Sequence, residues 1–84
     1  MDWVKFTKEI YEMDVDTCTV RDKTGVIRFG AGIGRVENYK DTIEILFDND
    51  DYISLNKKNV TDICYMGIRI NVIMNNGTTY SFDE

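Results

Sequence analysis

The chain has 84 residues, 43% of them hydrophobic, and sets 10 basic against 15 acidic side chains for a net charge of −5 with no histidine. That length excludes more than one domain, so residues 1–84 are read as a single unit, and the apolar content excludes a disordered chain. Surface scaling puts the folded area near roughly 5,200 Å² and leaves a core with only a few kcal/mol of net stability.

Taken in order, the spacing predicts a helix over 2–13, where Trp3, Phe6, Ile10 and Met13 recur at steps of three and four and Asp2 can cap the start. A helix this short is marginal alone and must dock its stripe on a sheet. From Val15 the period changes to two, with Cys18 and Val20 facing one way and Thr17, Thr19 and Arg21 the other. Asp22-Lys23-Thr24-Gly25 reads as a turn with Gly25 at positive φ. The register that sets apolar against apolar pairs Val20 with Ile27 and Cys18 with Phe29.

The run Gly30-Ala31-Gly32-Ile33-Gly34 lacks the strand-to-helix setting that a dinucleotide fingerprint needs, because Arg35-Val36-Glu37-Asn38 shows no helical stripe. Glycines two apart instead strip one strand face of side chains, letting the strand bend and the helix dock there, or opening a shallow groove for a partner. A turn at Asn38-Tyr39-Lys40-Asp41 is expected to join Val36 to Ile43 and to set Arg35 opposite Glu44.

In the central hairpin Ile43, Ile45 and Phe47 alternate, and Ile53 and Leu55 resume the pattern. Pairing Phe47 with Ile53 and Ile45 with Leu55 requires the loop Asn49-Asp50-Asp51, in which Asn or Asp stands in for glycine in the left-handed region. The acids Asp48, Asp50 and Asp51 do not make an EF-hand, since Ile53 and Asn59 occupy the positions that need Gly and Glu. Residues 57–61 read as one tight turn, Ile63 and Cys64 restart a strand, and Gly67 allows a bend. In the last hairpin a three-residue loop, Asn75-Asn76-Gly77, pairs Val72 with Tyr80, Ile70 with Phe82 and Arg69 with Asp83.

The fold class is therefore mainly β (α+β): one N-terminal helix over about 2–13, then a five- to six-stranded antiparallel meander over about 15–83. Such a meander forms a strongly bent sheet or closes into a small barrel. A helix leading into a bent meander, with a one-turn connection before a late strand, resembles the SH3-like and Sm-like small barrels. The resemblance rests on element order and implies no functional residues.

The function classes narrow in the same way. With no histidine, no cysteine pair at ligand spacing and carboxylates mostly in turns, neither a catalytic centre nor a metal or cofactor site is expected. The only adjacent cations are Lys57-Lys58, which argues against direct nucleic-acid binding through phosphates. No apolar run approaches the roughly 18 residues of a membrane span, and no secretory pattern is present, so the expected location is cytoplasmic.

What remains is a small acidic, non-catalytic protein-binding module for a partner with a basic surface. Its expected contacts are the aromatics Trp3, Tyr11, Tyr39, Tyr52 and Tyr65 together with Asp48, Asp50 and Asp51. One version is an inhibitor or regulator of a nucleic-acid-handling protein, its carboxylates standing in for phosphates, of the type common in small phage and mobile-element proteins. The alternative is a self-assembling small-barrel subunit that forms homo-oligomers through edge strands, which no proline guards. A third reading is weak nucleic-acid binding through Lys57, Lys58 and Arg69.

Overall fold

The computed structural model describes residues 1–29 and 32–84. Helix α1 (Trp3–Glu12) is followed by β1 (Thr17–Asp22), β2 (Gly25–Phe29), β3 (Ile33–Asn38), β4 (Thr42–Phe47) and β5 (Tyr52–Asn56). A single 3₁₀ turn (Lys57–Asn59) then leads to β6 (Val60–Tyr65), β7 (Arg69–Met74) and β8 (Thr79–Asp83). One N-terminal helix followed by antiparallel strands holds as expected. Among the described residues the strands number eight rather than five or six, and they form two sheets, ordered β2-β1-β8-β7-β6 and β3-β4-β5, that are not closed into a barrel.

Two connections account for the separation. At Lys57–Asn59 the Asn56 side chain accepts from the Lys58 amide at 3.2 Å, capping the 3₁₀ turn that carries the chain out of one sheet and into the other. At the far end β8 returns to pair with β1, setting Cys18 against Phe82 and Val20 against Tyr80. The N-terminal hairpin is thereby built into the sheet of the C-terminal strands, and β2 is left at its edge.

The core lies between the two sheets and under the helix. Phe6 and Ile10 enter from α1, Cys18, Ile70, Val72 and Phe82 from the larger sheet, and Val36, Ile43, Ile45, Phe47 and Leu55 from the smaller one. The Phe6 and Phe82 rings meet edge to face with centroids 6.1 Å apart, a favoured arrangement of two quadrupoles. Each fully buried side chain of this size contributes about 1.5–3 kcal/mol. The accessible surface, 5195 Å², matches the scaling expectation for the chain length.

Where the turns carry glycine, the register agrees with the pattern of the sequence. Val20 pairs with Ile27 and Cys18 with Phe29; Val72 pairs with Tyr80, Ile70 with Phe82 and Arg69 with Asp83. Gly77, at φ 88, is the left-handed residue of a loop closed by Met74 N donating to Thr78 O at 2.8 Å. Gly67, expected at a bend, lies in the Gly67-Ile68 turn of a β6–β7 hairpin, closed by Met66 N donating to Arg69 O at 2.8 Å.

Where glycine is missing, the register differs by two residues. Ile45 faces Ile53 and Ile43 faces Leu55, so the loop is Asp48-Asn49-Asp50, with Asp50 at φ 74 in the left-handed position. Likewise Val36 pairs with Ile45, and Arg35 faces Leu46 rather than Glu44. The turn there is the shorter Lys40-Asp41, closed by Tyr39 N donating to Thr42 O at 2.9 Å. A slip of two keeps every side chain on its own face, so burial alone does not reveal it.

Gly34 is the extra residue of a β-bulge: Ile33 pairs with Phe47 and Arg35 with Leu46. A Cβ there would stand 3.3 Å from the Leu46 carbonyl oxygen. The glycine run thus carries a bulge, and the nearest atoms at Gly34 are backbone of Leu46, Phe47 and Asp48 and not helix side chains. Helix α1 does pack beside β3, where Val36 N donates to the Tyr11 hydroxyl oxygen at 2.7 Å. Gly30 and Ala31, the start of the run, lie outside the described residues.

Candidate functional site

The eight residues expected to contact a partner fall in separate places. Trp3 packs its ring edge to face on Phe6, 5.5 Å between centroids, and against the core. Lys57 Nζ sits 5.8 Å from the Trp3 ring centroid and donates to Asn38 Oδ1 and to the Tyr39 carbonyl. Lys57 thus ties Trp3 to the exposed Tyr39 turn at one end of β4. Tyr65 is half-buried beneath Lys5, whose Nζ lies 4.6 Å from the ring centroid; burial, then Glu9 and Asp2, hold its phenol above the ordinary value. Tyr11 spends its hydroxyl on β3.

At the other end of β4 the expected acids do come together. Asp48, Asp50, Asp51 and Tyr52 are all exposed, and the loop is stiffened by Asp51 N and the Asn49 side chain, which bond one another's side-chain oxygens at 3.1 Å each. A Cβ on Gly32 would stand 2.9 Å from Asp48 Oδ2 and 3.4 Å from the Val15 carbonyl oxygen. The Val15 carbonyl, flanked in sequence by exposed Asp14 and Asp16, and the Asp48 carboxylate therefore both approach Gly32. Sequence reasoning missed those two acids because nothing local links positions more than thirty residues apart. Among the described residues no group of three His, Cys, Asp or Glu side chains could hold a metal ion.

The cations are also distributed by the fold. Lys57 and Lys58 share a depression of about 490 Å³ with Lys40 and Asp41. Arg69 lines a different one, of about 210 Å³, with Arg21, Arg28 and Thr19 on the outer face of the five-stranded sheet. The trio Lys57, Lys58 and Arg69 is accordingly split between two surfaces.

That outer face follows from the ladder. Directly opposed residues share a face, so Arg28, Thr19, Ser81 and Asn71 form one row across four strands. The next row toward one end sets Val26 beside Arg21, and the row toward the other sets Arg69 beside Asp83 and Thr17. Arg69 Nε pairs with Asp83 at 2.5 Å, and Ser81 Oγ donates to Asn71 at 2.7 Å. The other ion pair among the described residues is Arg35 with Glu37 at 2.7 Å, so Arg21 and Arg28 have none.

Beside this face runs the edge. β2 pairs with β1 alone, and Val26 and Ile27 are 53% and 64% exposed. Neither figure was foreseeable from alternation, because both depend on which strand β8 joins. A depression of about 270 Å³ lined by Val20, Gly25, Val26 and Ile27, among others, follows the edge. Asp22 stands near but is committed to its own turn, accepting from Thr24 N at 2.7 Å and Gly25 N at 3.1 Å. The Thr24 hydroxyl and amide are the main cause holding its carboxyl below the ordinary value.

The two thiols are free and lie on opposite faces of the same sheet. Cys18 is in the core, where burial, aided by Asp83, pushes its thiol up to about 12. Cys64 sits in the outer-face row opposite Asn71 and donates to Asp62 Oδ2 at 3.4 Å, which raises its pKa.

No protein-family model matches this chain, and no curated protein or solved structure shows significant similarity to it.

Proposed function

We propose that this protein is a small non-catalytic protein-binding module that acts by occupying a surface of its partner. The observation that supports this reading is the edge of β2, where two β-branched aliphatics are more than half exposed on a strand that, among the described residues, pairs on one side only. An edge of that kind is a ready template for another chain. No helix among the described residues is long and apolar enough to cross a membrane, and two free thiols fit a reducing compartment such as the cytoplasm.

The charge distribution favours a partner with a basic surface, met by the exposed Asp48, Asp50, Asp51 and Tyr52, with the Val15 carbonyl between exposed Asp14 and Asp16 across Gly32 from Asp48. In the specific form of this reading the partner is a nucleic-acid-handling protein whose phosphate-binding groove the carboxylates occupy. The test is affinity capture from the native source, reconstitution with the purified partner, and titration over a range of salt. The reading expects affinity to fall steeply as ionic strength rises, and to fall about tenfold or more in an Asp48→Asn, Asp50→Asn, Asp51→Asn variant. Salt-insensitive binding removes the phosphate-standing form; turnover of a small-molecule substrate overturns the module itself.

A second reading, a self-assembling subunit, draws on the same unpaired edge. Native mass spectrometry distinguishes the two, since a strictly monomeric species at micromolar concentration removes self-assembly.

A further inference from the structure

We propose that the outer edge of β2 receives an extended segment of a partner protein in which acidic and apolar side chains alternate, joining the sheet as a sixth strand. This rests on the protein-binding reading and names the chemistry of the segment.

An added strand places alternate side chains on the two faces of the sheet. On the outer face it would lie beside Val26 and Arg28 of β2, with Arg21 and Thr19 one strand further in. Both guanidinium groups lack an ion pair among the described residues. The nearby Asp22 carboxylate is turned into its own loop. A carboxylate next to Arg28 forms a pair directly. A second one, two residues along and opposite Val26, reaches over that short side chain to Arg21.

The inner face asks for the opposite chemistry. Ile27, 64% exposed, stands beside Val20 at the edge of the depression that follows β2. An apolar side chain laid there removes aliphatic surface from water. The edge therefore presents Arg28 and Arg21 about Val26 on the outer face and the aliphatic Ile27 and Val20 on the inner one, a combination that an alternating acidic and apolar segment satisfies.

A second copy paired through β2 in the register centred on Ile27 fits less well than such a segment. Antiparallel pairing of β2 with itself about Ile27 would set each Arg28 opposite the other copy's Val26, aligning Arg21 and Arg28 of both copies along one face whose nearest carboxylate, Asp83, is already paired with Arg69. The two Arg28 side chains are then diagonal neighbours, close enough to repel one another with no counter-charge between them. A basic segment meets the same repulsion.

The experiment uses the full chain and labelled peptides of about eight residues: one alternating Glu and Val, one alternating Lys and Val, and one with all Glu before all Val. Fluorescence anisotropy gives affinities at low and moderate salt, and amide exchange locates the contact. The alternating acidic peptide is expected to bind at least about tenfold more tightly than the other two, and to slow exchange at β2. An Arg21→Glu, Arg28→Glu variant, with fold checked by circular dichroism, is expected to reverse the preference toward the Lys peptide. Equal binding of the three peptides, a footprint away from β2, or a β2-paired homodimer in solution overturns the proposal. If a natural partner binds elsewhere on the molecule, this inference fails while the module reading stands.

Discussion

The Val36 amide donates to the Tyr11 hydroxyl oxygen at 2.7 Å, so the last turn of α1 closes part of the outer side of β3. The smaller sheet has two edges, and this bond shields one of them with the helix. Tyr11, expected from the sequence to contact a partner, makes this tie through its hydroxyl while staying 48% exposed.

Replacing Tyr11 by Phe keeps the ring and removes the acceptor. Stability by urea unfolding is expected to drop by about 1 kcal/mol, the usual net value of such a bond, with faster exchange of the Val36 amide. Unchanged stability and exchange would mean that water serves the amide equally well.

Glu37 and Glu44 lie directly opposite one another on the exposed face of the smaller sheet, and Arg35 relieves the repulsion by pairing with Glu37. Glu44→Gln is therefore expected to stabilise by roughly 0.2–1 kcal/mol, and Arg35→Gln to destabilise by a similar or smaller amount, both effects shrinking in high salt. A thermal-unfolding series over ionic strength checks the sign and the screening.

The β4–β5 and β7–β8 hairpins share one loop geometry, with Asp50 at φ 74 where the other has Gly77 at φ 88. Gly77→Ala is expected to cost about 1–2 kcal/mol. Asp50→Gly is expected to be neutral or slightly stabilising, because relief of the left-handed conformation offsets the entropy glycine adds to the unfolded chain. Loss of stability on both substitutions would contradict the shared geometry.

Thiol labelling should separate the cysteines. Cys64, half-buried on the outer face, is expected to react first, and Cys18 only on unfolding. Because Asp62 accepts from the Cys64 thiol and raises its pKa, Asp62→Asn is expected to speed labelling near pH 8. For Cys18 the folded pKa of about 12 lies above the ordinary 9.0. The folded state then binds the proton more tightly, and this contribution to stability is present below pH 9 and lost as pH rises toward about 12.

These comparisons show what the sequence made legible. The helix cap at Asp2, which accepts from the Lys5 amide at 2.9 Å, and the registers set by Gly25 and Gly77 were readable because each rests on a residue with one strong local preference. The registers around Asp50 and Lys40 were not, since Asp and Asn tolerate several loop positions and a slip of two leaves the apolar faces intact. The acids of the 48–51 loop were visible as a cluster, whereas the closeness of Val15, between Asp14 and Asp16, to Asp48 shows only through Gly32. The open edge of β2 was hidden for a different reason: it exists because β8 pairs with β1, a contact between the two ends of the chain that no local pattern encodes.

The most direct measurement is amide hydrogen exchange on the protein with and without its reconstituted natural partner. The account predicts slowing in Gly25–Phe29 and in the 48–51 loop, with the core amides of β7 and β8 unchanged. A footprint that leaves β2 untouched would contradict strand addition there, and the absence of any footprint would contradict the module itself.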